Sequence, residues 1–250
     1  MIGTGLPLFL RPSANHDERK SGRTPTILLL HYTGMDSAES ACTWLCNEQS
    51  KVSCHYLIDE QGGLVQMVSE DRRAWHAGAS TWRGIDDINS MSIGVEIHNT
   101  GHNGVYEDFP ALQMQTVVAL CRDVVIRNSI KPENILAHSD VAPGRKTDPG
   151  EKFDWPLLYR NGIGHWVEPS AISGGIFLQE GDRGESVAAL QLALQRYGYG
   201  IVINGQFEYR TRIVIEAFQR HFRPSRVDGI ADQSTIDTLF RLLAGVQLAT

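Results

Sequence analysis

The chain has 250 residues, 42% hydrophobic and 21% charged, a balance typical of a globular protein with room for one large domain or a medium and a small one. A formal net charge of -6 leaves no basic face for nucleic acid, and no run approaches the roughly 20 apolar residues of a membrane span. Four cysteines (Cys42, Cys46, Cys54 and Cys121) form no C-x-x-C pair and read as reduced, partly buried thiols, which suits a reducing compartment.

Residues 1–20 carry a short apolar piece, Leu6 to Leu10, but no basic stretch, long apolar core or small-residue cleavage site. The expected location is therefore cytoplasmic, or periplasmic if an export signal lies outside this sequence. Thr26 to His31 is a nearly continuous apolar run ending in histidine, the pattern of a central strand buried on both faces. Ser37 to Asn47 reads as a helix capped by Ser37, with Trp44 and Leu45 facing inward. His55 to Asp59 and Leu64 to Val68 flank the turn residues Glu60-Gln61-Gly62-Gly63 and read as a hairpin. Ser92 to His98 alternates, with Ile93, Val95 and Ile97 on one face and Gly94, Glu96 and His98 on the other. Glu96 therefore projects from a rigid strand. Asp108 to Asn128 turns helical, with Asp108 as cap, Pro110 in the first turn, and Leu112, Val117, Leu120, Cys121, Val124 and Val125 as the buried stripe.

Ile135 to Ala137 reads as a short buried strand that delivers His138 into the run His138-Ser139-Asp140-Val141-Ala142-Pro143-Gly144-Arg145-Lys146-Thr147-Asp148-Pro149-Gly150. Pro143, Gly144 and Pro149 argue against regular helix or strand there, so the backbone curls and returns Asp148 beside His138. The alternation of strands and helices predicts an α/β fold with a mixed central sheet flanked by helices over residues 1–168. A small-residue linker follows at 169–177. Residues 178–250 form a small C-terminal three-helix domain. Its stripes are Val187, Leu190, Leu194 and Tyr197, then Arg210 to Phe222, then Ile236, Leu239, Phe240 and Leu243. Asn204-Gly205 and Asp228-Gly229 are turns, each with a threonine six residues after the glycine (Thr211, Thr235), a faint internal repeat.

His31, His138 and Asp148 are candidate metal ligands. Zinc accepts imidazole nitrogen and carboxylate oxygen, and catalytic sites use three protein ligands with one position left for water. A strand-end histidine is also a common structural group, and a loop aspartate before proline a common turn residue. The spacing alone is no zinc signature.

His31-Tyr32-Thr33, Ser53 to Asp59, Ala74-Trp75-His76-Ala77-Gly78, Ser92 to Glu96, and His138 to Gly150 occur in one order. Together they resemble the type-2 N-acetylmuramoyl-L-alanine amidases, zinc enzymes related to phage amidase endolysins and peptidoglycan recognition proteins. The resemblance covers roughly residues 20 to 165. It implies that His31, His138 and Asp148 bind Zn²⁺, that Glu96 is the catalytic acid/base, and that Lys146 stabilises the oxyanion. It implies that Trp75, His76 and Gly78 line the substrate groove, with a packed structural histidine as the other reading of His76; His55 could orient a ligand through a hydrogen bond. Cys54 stands where some relatives carry a catalytic tyrosine, and Ile88 near where the recycling amidases carry an arginine. Thr81-Trp82-Arg83-Gly84 is closer to the outer-membrane lipoprotein branch, which accepts both anhydro and ordinary muramic acid. Gly181 to Val187, Leu190-Gln191, Asn204 to Phe207, Ala217 to Gln219 and Asp228 to Ala231 resemble the type-1 peptidoglycan-binding module, with Glu208 and Asp232 where that family often has glycine. The implied partners are peptidoglycan or muropeptides. Two other readings are a recognition protein that binds murein without cutting it and a phage-type lytic amidase. The other histidines (His16, His98, His102, His165, His221) have no motif context, and oligomeric state is not legible.

Overall fold

Ile27–Tyr32 (β3) is the strand around which the molecule is built. Its run Leu28-Leu29-Leu30 is fully buried, as expected of a strand with layers on both sides. The computed structural model describes residues 2–248; Met1, Ala249 and Thr250, which fall within the expected domain limits, lie outside it. The other strands are Phe9–Leu10 (β1), His16–Glu18 (β2), Tyr56–Ile58 (β4), Leu64–Gln66 (β5), Arg72–Ala74 (β6), Ser92–Ile97 (β7) and Ile135–Ala137 (β8). Six of them form a mixed sheet in the order β1-β5-β4-β7-β3-β8, and β2 pairs with β6 separately. β3 runs parallel to both neighbours, with His31 opposite Glu96 on β7 and Leu30 opposite Ala137 on β8. The C-terminal ends of β7, β3 and β8 therefore open side by side. β4 and β5 form the expected antiparallel hairpin.

The helices are Ala38–Cys46 (α1), Ile88–Met91 (α2), Ala111–Asn128 (α3), His138–Val141 (α4), Trp155–Arg160 (α5), Glu185–Tyr197 (α6), Tyr209–Phe222 (α7) and Gln233–Leu248 (α8). Ser37 caps α1 as expected, accepting from Ser40 N at 3.1 Å. Five local expectations are corrected. The inward face of α1 is Ala41, Cys42 and Leu45; Trp44 lies off that face and is 49% exposed. α3 begins after Pro110, whose φ of -60° starts a helix readily, so Asp108 is not its cap and Leu112 lies outside the buried stripe. Phe240 on α8 is likewise exposed. Residues 138–141 form one helical turn, because the first proline, Pro143, lies beyond it.

The faint repeat in the C-terminal region is a repeat of hydrogen bonding. Gln191 on α6 donates to Asn204 Oδ1, Gln206 O and Thr211 Oγ1, and accepts from the backbone N–H of Asn204 and Gly205. Gln219 on α7 donates to Asp228 Oδ1, Ile230 O and Thr235 Oγ1, and accepts from Asp228 N and Gly229 N. Gly205 and Gly229 have φ of +66° and +73°, a conformation that favours glycine. Each buried glutamine pins one turn to the helix that follows it. The sequence shows the turn, the threonine and, through the module's motifs, the glutamine; that Gln191 ties to a turn 13 residues downstream is decided by the tertiary contact.

The helical region shares one continuous core with the sheet. Thr81-Trp82-Arg83-Gly84 is its seat. Thr81 N donates to Val141 O at 2.8 Å, and Arg83 N to Gly198 O at 2.8 Å. Trp82 is buried against Tyr197 and Tyr199, and a Cβ on Gly198 would lie 2.5 Å from its ring.

Candidate active site

His31 leaves β3, and His138 opens α4 directly after β8. The chain then turns and returns, held by Ser139 N donating to Asp148 O at 3.0 Å. Three donor atoms converge as a result. His31 Nδ1 lies 2.9 Å from His138 Nδ1 and 3.1 Å from Asp148 Oδ2, and His138 Nδ1 lies 3.0 Å from Asp148 Oδ2. All three residues are buried and form a group that could hold a metal ion. A tetrahedral ion about 2 Å from each donor sets the donors roughly 3.3 Å apart, so the triangle needs only a small expansion to accept one.

The electrostatics favour ligation. Burial, and then the neighbouring His138, push the His31 imidazole down to about 4, so its ring is neutral near pH 7. Burial alone would raise the Asp148 carboxyl, but His138 and His31 overrule it and hold it well below the usual carboxylate range. A neutral imidazole at His31 and an ionised carboxylate at Asp148 are the forms that bind a cation.

Glu96 is carried on the strand beside His31 and lines the same cavity of about 480 Å³. Burial, and then the Asp148 charge, raise its carboxyl well above normal, and Lys146 opposes them. Its Oε2 is shielded from solvent and has no hydrogen-bond partner among the described residues. A carboxyl group with a raised proton affinity and an unpartnered oxygen is suited to moving a proton. Lys146 lines the cavity too.

Of the expected groove residues, Trp75 and His76 line the cavity and Gly78 does not. Gly78 lies against the Arg145 guanidinium, 3.3 Å from where its Cβ would be. The His76 ring is turned inward onto His31 and Ser92. His55 accepts from Gly94 N at 2.9 Å and touches none of the three ligand candidates. Residues given no role in the sequence reading also shape the site. Trp44 and Tyr32 are on the cavity wall, and Arg145 donates to the carbonyls of Ala77 and Ala79. A better account of the helix phase would have placed Trp44 there.

Comparisons with known proteins agree with this geometry. The N-acetylmuramoyl-L-alanine amidase family model (Amidase_2) matches residues 21–151, and the PG_binding_1 peptidoglycan binding domain matches 183–239. N-acetylmuramoyl-L-alanine amidase AmiD of Escherichia coli is 37% identical over 221 residues, covering 84% of this chain and 79% of that protein. The 1,6-anhydro-N-acetylmuramyl-L-alanine amidase AmpD of the same organism is 35% identical over 161 residues, 58% of this chain and 86% of its own length. Among solved structures, AmiD in complex with the substrate anhydro-N-acetylmuramic acid-L-Ala-D-gamma-Glu-L-Lys superposes with a TM-score of 0.76 at 37% identity, covering 88% of this chain and 89% of that one. AmpDh3 of Pseudomonas aeruginosa, in complex with anhydromuramic pentapeptide, gives 0.73 at 29% identity over 91% and 94%.

Proposed function

The chain belongs to the N-acetylmuramoyl-L-alanine amidase family, and on that premise we propose that it uses zinc to cut the amide bond between the lactyl group of N-acetylmuramic acid, or its 1,6-anhydro form, and L-alanine of the stem peptide. The observation that carries this reading is the triangle of His31 Nδ1, His138 Nδ1 and Asp148 Oδ2 beside an unpartnered Glu96 Oε2. His31, His138 and Asp148 would hold the ion. When bound, it supplies Lewis acidity to the scissile carbonyl and to water, the two weak points of amide hydrolysis at neutral pH.

The rest falls to side chains. Glu96 takes a proton from the attacking water and hands it to the departing L-alanine nitrogen, so one carboxylate serves as base and then as acid. Its raised affinity for protons suits the second half of that task. Lys146 places a positive charge where the carbonyl oxygen becomes an oxyanion. Trp75 and His76 on the cavity wall form the edge against which the muropeptide lies, and Gly78 supports that edge from behind, against Arg145. The C-terminal helical domain is proposed to bind murein and to raise the local concentration of substrate.

The proposed setting is a cytoplasmic role in recycling, or a periplasmic one if an export signal lies outside this sequence. No described helix is long and apolar enough to cross a membrane. The test is to assay purified protein on intact sacculi beside soluble anhydro-muropeptides. Faster release of stem peptides from the soluble fragments is the expected result. Bound but uncut sacculi, with inert fragments, would replace the enzyme by a receptor.

A further inference from the structure

We infer that His76 is a positioning residue for the metal centre: with Ser92, it fixes which nitrogen of His31 carries the proton and thereby aims the bare Nδ1 at the ligand triangle. Ser92 Oγ lies 2.7 Å from Ile88 O. A carbonyl only accepts, so the single hydroxyl proton of Ser92 is committed there. The same Oγ lies 3.2 Å from His76 Nε2 and can only accept from it, so the His76 proton sits on Nε2. His76 Nδ1 is then bare and lies 3.0 Å from His31 Nε2, which donates to it. One proton remains on the His31 ring, at Nε2, and Nδ1 is left as a lone pair facing His138 Nδ1 and Asp148 Oδ2. Read from the other end, the chain is the same: a ligating Nδ1 requires the proton on Nε2 and an acceptor beyond it.

Two independent observations support the assignment. The first is Gly94, midway between Ser92 and Glu96 on β7. A Cβ there would lie 2.5 Å from His76 Nδ1, so the ring occupies the space a side chain would take. The second is the next residue, Ala77, whose carbonyl accepts from His138 Nε2 at 3.1 Å and frees that ring's Nδ1 in the same way. The segment is itself clamped, because Asn89 Oδ1 accepts from the backbone N–H of both His76 and Ala77, at 3.1 and 2.8 Å. One short stretch thus orders both imidazoles. The inference rests on the proposed ligand set: failure to bind zinc at all would reject that ligand set, whereas the other His76 tautomer in zinc-loaded protein would reject the inference alone.

The test is nitrogen-15 NMR of histidine-labelled, zinc-loaded protein, with zinc affinity measured by chelator competition. The expected result is a His76 ring protonated at Nε2 and bare at Nδ1 in the parent protein. His76→Phe, which keeps a ring but no acceptor, is expected to leave the His31 Nε2–H without its partner and weaken zinc binding about 10- to 100-fold. His76→Asn, whose Oδ1 can replace the acceptor, should recover part of the loss, and Gly94→Ala should weaken zinc by displacing the ring. Zinc-loaded parent protein with His76 protonated at Nδ1 would overturn the inference whether or not any variant folds. So would His76→Phe that binds zinc with parental affinity.

Discussion

Glu96→Gln is expected to fold, to keep its full metal load and to lose about 10²- to 10⁴-fold in kcat, the usual contribution of a positioned proton carrier. Glutamine has nearly the same shape, so the β7 strand and its pairing with β3 are undisturbed. Oε2 makes no hydrogen bond among the described residues, so no structural bond is lost. The substitution also removes a buried carboxylate that Asp148 repels, so the thermal midpoint should be equal or higher. What disappears is the ability to accept and return a proton. A thousandfold loss corresponds to about 4 kcal/mol of transition-state stabilisation. Kinetics on a soluble muropeptide, with metal content measured on the same sample, check it. Undiminished turnover, or loss of turnover only because the metal is gone, would remove Glu96 from the role.

His221→Leu should be the most destabilising single change in the helical region. His221 Nδ1 lies 2.6 Å from Asp140 Oδ2, and its ring stacks between Trp155 and Phe222 at 3.7 and 3.8 Å. Asp140 is wholly buried, and its carboxylate also accepts from Tyr199 Oη at 2.7 Å and Ala137 N at 2.8 Å. Leucine fills most of the volume but leaves a carboxylate oxygen without its strongest partner in a site that water does not reach. Breaking such a buried pair from one side costs about 3 to 5 kcal/mol, which for a chain of this size lowers the thermal midpoint by roughly 6 to 20 °C. Tyr199→Phe removes one hydrogen bond and should cost about 1 kcal/mol. Because Ala137 precedes His138, the His221 variant should also bind metal more weakly. Calorimetry with a metal titration checks both, and an unchanged midpoint would mean that the helical region does not brace the ligand loop.

The sequence showed most of what local chemistry dictates and little of what tertiary contact decides. β3, β7 and β8 are legible because a strand buried on both faces needs an apolar run, and an alternating one announces its free face. The convergence of His31, His138 and Asp148 was reachable only through the motif order; nothing in a 107-residue separation indicates a 2.9 Å approach. Trp44 and Leu112 were misplaced for one reason. An apolar residue beside a helix stripe reads as core unless the helix phase is fixed by the structure it packs on. Strands as short as β1 and β2 carry too few residues to show a period. The His221–Asp140 pair spans 81 residues, and each partner looks ordinary in its own segment.

The account stands on one metal centre, and diffraction at the zinc absorption edge tests it most directly. The prediction is a single anomalous peak per chain, about 2 Å from His31 Nδ1, His138 Nδ1 and an Asp148 carboxylate oxygen, with Glu96 outside bonding distance. A peak bound by other residues, or crystals of fully active enzyme with no peak at this triangle, would contradict it.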